Sequence, residues 1–125
     1  MNSNGKWTLL IIDNDHDLVR ALAKRLGSMN VDCITATSGV QGLAEFRGAD
    51  VDIVVSDLNM QGGDGIEFAE AIRLTSDVPI IFITGFRDDF KRRLRHVTNA
   101  STLRKPFQSQ NLMDLISAAL RESIA

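Results

Sequence analysis

Apolar residues in this chain fall into short blocks separated by longer amphipathic stretches. The blocks are Trp7–Ile12, Val31–Ala36, Val51–Val55, Pro79–Ile83 and, more weakly, Ala100–Leu103. They are rich in β-branched residues and too short for helices, so the pattern predicts strands. Several are apolar throughout rather than alternating, as in strands covered on both faces. Between them the period changes to that of a helix. Leu18, Ala21, Leu22, Arg25 and Leu26 line one side of a helix, with Gly27 near its end. Ser38 is placed to cap a short helix through Val40, Leu43, Ala44 and Phe46. Asp64 or Gly65 opens another, in which Ile66, Phe68, Ala69 and Ile72 recur at helical spacing. Phe86–Val97 is a weaker, charged candidate. Leu112, Leu115, Ile116, Ala119 and Leu120 mark a last helix, led in by Gln108 or Ser109.

The order is strand then helix, five times. Parallel strands need crossover helices and the crossovers are right-handed, so the expected fold is α/β, a five-stranded parallel sheet doubly wound with helices on both faces. The whole of 1–125 is expected to be one domain, with its core over about 6–124. Such sheets bind ligands in the crevice at the carboxyl ends of their strands. The polar residues just after each strand are therefore the candidate site.

Composition changes this picture little. Apolar residues at 44% and charged residues at 24% are ordinary for a soluble domain. Cys33 is the only cysteine, which excludes an internal disulfide, and its apolar surroundings predict burial rather than reactivity. No apolar run approaches the ~18 residues of a membrane span and no signal peptide is visible, so a cytoplasmic protein with no membrane partner is expected. The net charge of −2 argues against general nucleic-acid binding but hides an asymmetry. Residues 1–85 carry 6 basic and 12 acidic side chains, whereas 86–105 carry a local +5.

The strand ends carry the chemistry. Asp13-Asn14-Asp15 follows the first strand; the third runs into Ser56-Asp57 and then Leu58-Asn59-Met60-Gln61-Gly62-Gly63-Asp64-Gly65. The fourth ends in Thr84-Gly85 and the fifth in Lys105-Pro106-Phe107. Two acids, a hydroxyl and an ammonium thus reach one edge of the sheet. Clustered carboxylates suit a hard cation such as Mg²⁺, which takes one or two of them plus waters and phosphate oxygens. An aspartate can also attack phosphorus to form an acyl phosphate. A metal, a lysine and a hydroxyl are what stabilise a transferring phosphoryl group, and Gly85 leaves room for its approach.

Taken in order and spacing, IIDND, SDLNMQGGDG, IFITG and LRKPF resemble the receiver domains of two-component response regulators, over about Lys6 to Ile124. The resemblance implies a flavodoxin-like (βα)5 fold and a phosphoacceptor switch served by a histidine kinase or phosphotransfer protein. It implies Asp57 as the acceptor and Mg²⁺ (or Mn²⁺) held by Asp13, Asn14, Asp57 and the backbone carbonyl of Asn59. Thr84 and Lys105 would bind phosphoryl oxygens, behind a cis Lys105–Pro106 bond. Such a domain modifies only itself and is not an enzyme with an independent substrate. Output through the basic region 86–105 to an acidic partner, and a monomer or weak homodimer, are further implications.

Several residues also have plainer readings. Asp57 could end a strand as a turn residue and Asp13 could cap the next helix. Asp15 and Asp17 are read as first-turn acids welcomed by the helix dipole. His16 and His96 are read as solvated, Trp7 and the phenylalanines as packing, and Lys91–His96 first as a solvated face. The basic patch lacks aromatic interleaving, so nucleic acid ranks last among its partners.

Two positions depart from the family pattern. Asn14 stands where a second acid is usual, predicting weaker Mg²⁺ binding. Thr102 stands where an aromatic is usual, so a ring movement cannot report phosphorylation and Phe86 is a candidate substitute. Gln61, in place of a frequent proline, should loosen the loop after Asp57. Two other functions stay open: a degenerate receiver that binds partners without phosphate, and a phosphatase resembling the haloacid dehalogenases. The second needs a late acidic pair, yet Asp88-Asp89 precedes Lys105 and Asp57 would have no role.

Overall fold

All five apolar blocks form strands, and the amphipathic stretches after the first, second, third and fifth of them form helices. The computed structural model describes residues 1–58, 65–85 and 94–124. The strands are β1 (Trp7–Ile12), β2 (Val31–Ala36), β3 (Ile53–Asp57), β4 (Ile80–Thr84) and β5 (Ala100–Arg104). The helices are α1 (His16–Leu26), α2 (Gly39–Gly48), α3 (Gly65–Arg73) and α4 (Ser109–Ile124). Every neighbouring strand pair is parallel, and the order across the sheet is β2-β1-β3-β4-β5. This is the expected doubly wound α/β architecture.

Alternation within the central strands sorts the core into two layers. Leu10, Ile12, Val54, Ile80 and Phe82 face α2 and α3, where they meet Ile66, Phe68, Ala69 and Ile72. Leu9, Ile11, Ile53, Val55, Ile81 and Ile83 face α1 and α4, where they meet Val19, Leu22, Leu26, Leu112 and Ile116. Each fully buried Leu, Ile or Phe contributes about 1.5–3 kcal/mol, so both layers hold the sheet firmly. The weaker fifth block is the edge strand β5, four of whose five residues are exposed.

The helix ends follow local chemistry. Asp15 caps α1, its carboxylate accepting from Asp17 N–H and Leu18 N–H at 3.1 Å each. Ser38 caps α2 by accepting from Gln41 N–H at 3.1 Å. Gly27 ends α1 in right-handed geometry; the left-handed residue is Asn30, φ 64°, after a 3-10 turn. Gly42 lets α2 lie on the sheet, since a Cβ there would crowd Ile12 and Phe68.

The third strand differs from expectation. It spans Ile53–Asp57 rather than 51–55. Asp52 exchanges two hydrogen bonds with Thr8, donating its N–H to the Thr8 carbonyl and accepting Thr8 N–H on Oδ2, both at 2.8 Å. At the other end, ladder pairing with β4 carries the strand through the polar Ser56 and Asp57. The helix expected over Phe86–Val97 lies for the most part outside the described residues; Arg95 and His96 are exposed and Val97 is buried.

Candidate functional site

Strand ladders continue past the ends of β1 and β5. Asp13 N–H donates to the Ala36 carbonyl at 3.1 Å, and Lys105 N–H to the Thr84 carbonyl at 2.8 Å. The alternation that points Ile11, Val55 and Leu103 at the α1/α4 layer therefore points Asp13, Asp57 and Lys105 the same way. Three charged side chains share one face at the carboxyl ends of three different strands.

They meet. Lys105 Nζ lies 3.1 Å from Asp13 Oδ2 and 3.5 Å from Asp57 Oδ2. Asp13 is 2% exposed and Asp57 7%. Asp13 Oδ1 accepts from Asp15 N–H at 2.9 Å, so both of its oxygens are engaged. Burying a carboxylate costs several kcal/mol even after relaxation, and apolar residues of similar volume would stabilise as well or better. A fold that needed only stability would not place two acids here. Burial alone pulls the Lys105 ammonium down in pKa, but the hydrogen bond to Asp13 and the charges of Asp57 and Asp13 outweigh it, and the net shift is upward. The lysine is held charged between two buried carboxylates.

The remaining candidates fall around this trio. Thr84 is half-buried at the end of β4, one register step beyond Ile83, the partner of Asp57. Asn14 is exposed beside Asp13. The Lys105–Pro106 bond is cis. At Gly85 a Cβ would meet nothing within 4 Å among the described residues. Asn59 and Gln61, and with them the carbonyl expected to complete a metal site, lie outside the described residues, as do Phe86 and Asp88-Asp89. Thr102 is exposed on the edge strand. A groove of about 620 Å³ runs between α1 and the start of α4, from Lys105 and Pro106 past Phe107 to Leu18 and Leu22.

The plainer readings divide. The cap of α1 is Asp15, which leaves Asp13 facing the lysine rather than a helix end. His16 and His96 are exposed. Phe68 and Phe82 are core residues, and Trp7 packs against the α1/α4 layer. Burial pushes the Cys33 thiol up to about 11, helped by Asp32, which makes it a packing residue and a poor nucleophile.

Three residues were given no site role by sequence, although Gly65 was read as a helix opener and does begin α3. Ser56, fully buried, donates its hydroxyl to the Asp57 carbonyl at 3.0 Å. A Cβ on Gly65 would overlap that same carbonyl oxygen. Arg73 donates to the carbonyls of Thr98, Ser76 and Asn99 at 2.9, 3.2 and 3.1 Å. A buried serine and a helix-opening glycine look ordinary in sequence, and nothing in the spacing of Arg73 shows its targets.

Known proteins are similar to this chain in sequence and fold. The family model for the response regulator receiver domain matches residues 9–117. The heme response regulator HssR of Staphylococcus haemolyticus is 30% identical over 114 residues, covering 90% of this chain and 50% of its own length. The transcriptional regulatory protein GlrR of Escherichia coli is 34% identical over 119 residues, covering 92% of this chain and 26% of its own. The chain thus spans half or less of the length of these relatives. The chemotaxis response regulator CheY4 of Vibrio cholerae superposes with a TM-score of 0.85 at 26% identity, covering 92% of this chain and 99% of that one. A two-component response regulator from Clostridium difficile has the same fold, with a TM-score of 0.89 at 21% identity over 96% of this chain and all of that one.

Proposed function

Because the chain belongs to the response regulator receiver domain family, we propose that it is a phosphorylation switch whose acceptor is the Asp57 carboxylate. The observation that carries this reading is the convergence of Asp13, Asp57 and the Lys105 ammonium within hydrogen-bond or ion-pair distance at the strand ends. The donor is a phosphohistidine of a kinase or phosphotransfer protein. An Asp57 oxygen forms the new O–P bond as the P–N bond to the donor imidazole breaks. The leaving nitrogen keeps the electron pair and is protonated. Lys105 neutralises charge on the phosphoryl oxygens, and Thr84 offers a hydroxyl to another. Hydrolysis of the acyl phosphate resets the switch, so the domain turns over only its own modification.

The donor set fits a hard divalent ion. Among the described residues no group of three or more His, Cys, Asp or Glu gathers, but Mg²⁺ needs only one or two carboxylates. Asp13 and Asp57 would hold it, with Asn14 and the Asn59 carbonyl as neutral oxygens. Bound there, it would neutralise charge between acceptor and phosphoryl group. Asn14 brings no charge, so affinity is lower than with a second acid at that place. Output would pass through the basic region 86–105, where Arg95 and Arg104 are exposed.

A second reading has its own observation. Asn14 is uncharged and Thr102 is an exposed threonine, which would suit a receiver that binds partners without phosphate. The phosphatase reading is weakened by the burial of Asp57 beside Lys105, since it gives that residue no role. Intact-mass measurement after incubation with phosphoramidate and Mg²⁺ separates them. The switch predicts a gain of one phosphate that is lost in Asp57→Asn; no gain in the wild type would favour the phosphate-independent module.

A further inference from the structure

The main chain around Asp57 is gripped from the α2/α3 side of the sheet. Ser56 alternates onto that side, in the apolar layer of Ile12, Val54, Leu58 and Phe82, and is 0% exposed. Its hydroxyl donates to the Asp57 carbonyl at 3.0 Å. Leu58 N–H donates to the Ile83 carbonyl at 3.1 Å, and the Leu58 carbonyl accepts Gly65 N–H at 3.0 Å. Gly65 also closes on the same peptide from α3. A Cβ there would overlap the Asp57 carbonyl oxygen and lie 3.1 Å from Leu58 Cα. Its φ is not positive, so glycine is required for space, not for conformation.

Stability does not demand this arrangement. A buried hydroxyl nets only about 1 kcal/mol from its hydrogen bond, and an apolar residue of similar size does as well. Geometry does demand it, because in-line attack needs the acceptor oxygen held in a near-attack position. We propose that Ser56 and Gly65 are positioning residues that fix the Asp57–Leu58 peptide and thereby aim the acceptor carboxylate at the incoming phosphorus. This rests on Asp57 being the phosphoacceptor.

The test follows phosphate uptake from phosphoramidate with Mg²⁺ by time-resolved intact mass, across phosphoramidate concentrations. In Ser56→Ala the maximal rate should fall roughly tenfold, short of the ~10²-fold cost of a 1 Å misplacement. The half-saturating phosphoramidate concentration and the urea midpoint should stay near wild type. The Asp57 carbonyl ¹³C resonance should move upfield as its hydrogen bond is lost. Gly65→Ala, where it folds, should lose more; Ser56→Ala decides the matter where it does not. A Ser56→Ala maximal rate within about twofold of wild type would overturn the proposal, since misplacement costs far more than that. So would a loss appearing only as weaker saturation or lower stability. Wild-type protein that takes up no phosphate would instead bring down the phosphoacceptor reading itself.

Discussion

At the carboxyl ends of the strands Lys105 points at Asp13 and Asp57; at the amino ends Arg73, Asp52 and Asn99 point at main chain. Arg73 donates to three carbonyls, Asp52 accepts from Thr8 N–H, and Asn99 Nδ2 donates to the Asp77 carbonyl at 2.7 Å. Both ends thus hold a partly buried cation and carboxylates, and both border a groove. The one at the amino ends, about 650 Å³ between Trp7, Asp77, Pro79 and Glu122, matches the one beside Lys105 in size. Cavity volume does not separate them. What separates them is the partner each charged group faces. A charge satisfied by several fixed carbonyls is committed to the scaffold, whereas the Lys105 ammonium, held by the side chains of Asp13 and Asp57, sits between groups that a ligand at the strand ends would also meet.

The sharpest way to break this contrast is to remove one carboxylate from each end. Asp57→Asn should abolish phosphate uptake, with the phosphoramidate mass gain gone entirely. Asp52→Asn should leave uptake intact and cost about 1 kcal/mol in urea denaturation, the value of a weakened hydrogen bond to a charged group. If Asp52→Asn also abolished uptake, the two ends would not be functionally distinct.

The cations come next. Lys105→Met should slow uptake by about 10²-fold, as loss of a donor to a transferring group does, with a small effect on folding. Arg73→Ala should do the reverse: about 3 kcal/mol lost, because three carbonyls lose a charged donor, with uptake near normal at temperatures where the variant is folded. Stopped-time mass spectra and urea midpoints on both variants check the pair.

How far these ends were legible in sequence follows from what each uses. Asp13, Asp57 and Lys105 stand at the ends of apolar blocks, so the alternation that marks the strands also marks them. The helix cap Ser38 was readable because its partner lies three residues away; the cap of α1 was placed two residues early, at Asp13, and Asp15, read as a first-turn acid, is the residue that caps it. Arg73, Ser56 and Gly65 act through main-chain atoms whose positions exist only once the sheet is assembled. No side-chain pattern announces a carbonyl 25 residues away, as with Arg73 and Thr98. The start of β3 was misjudged on similar grounds: Val51 is apolar, but the side chain of Asp52 engages Thr8 and delays the ladder.

A smaller effect tests the charge of the pocket. Asn14→Asp adds a third carboxylate beside Asp13 and should tighten Mg²⁺ binding about tenfold, because one more negative charge within about 4 Å of a cation is worth at least ~1 kcal/mol even in water. Isothermal titration reads it directly. Affinity unchanged by the substitution would mean that position 14 lies outside the metal's reach.

The smallest effect is in pH, and its sign again distinguishes the two ends. The Lys105 pKa is raised in the folded state, so its ion pairs stabilise the fold fully at pH values below the ordinary lysine pKa. That contribution is lost as pH climbs through the raised value. The gap in urea midpoint between wild type and Lys105→Met should therefore be constant from pH 7 to about 10 and shrink above it. Arg73 is shifted the other way: burial pulls its guanidinium down, and the charge of Asp77 offsets this only in part. A guanidinium nevertheless stays protonated throughout that range, so the gap between wild type and Arg73→Ala should be flat. Urea titrations at pH 7, 9, 10 and 11 measure both. A Lys105 gap that stayed flat to pH 11 would mean that its ammonium is not what the two carboxylates hold. An Arg73 gap that shrank alongside it would show alkaline loosening of the fold as a whole, and the contrast between the two ends would fail.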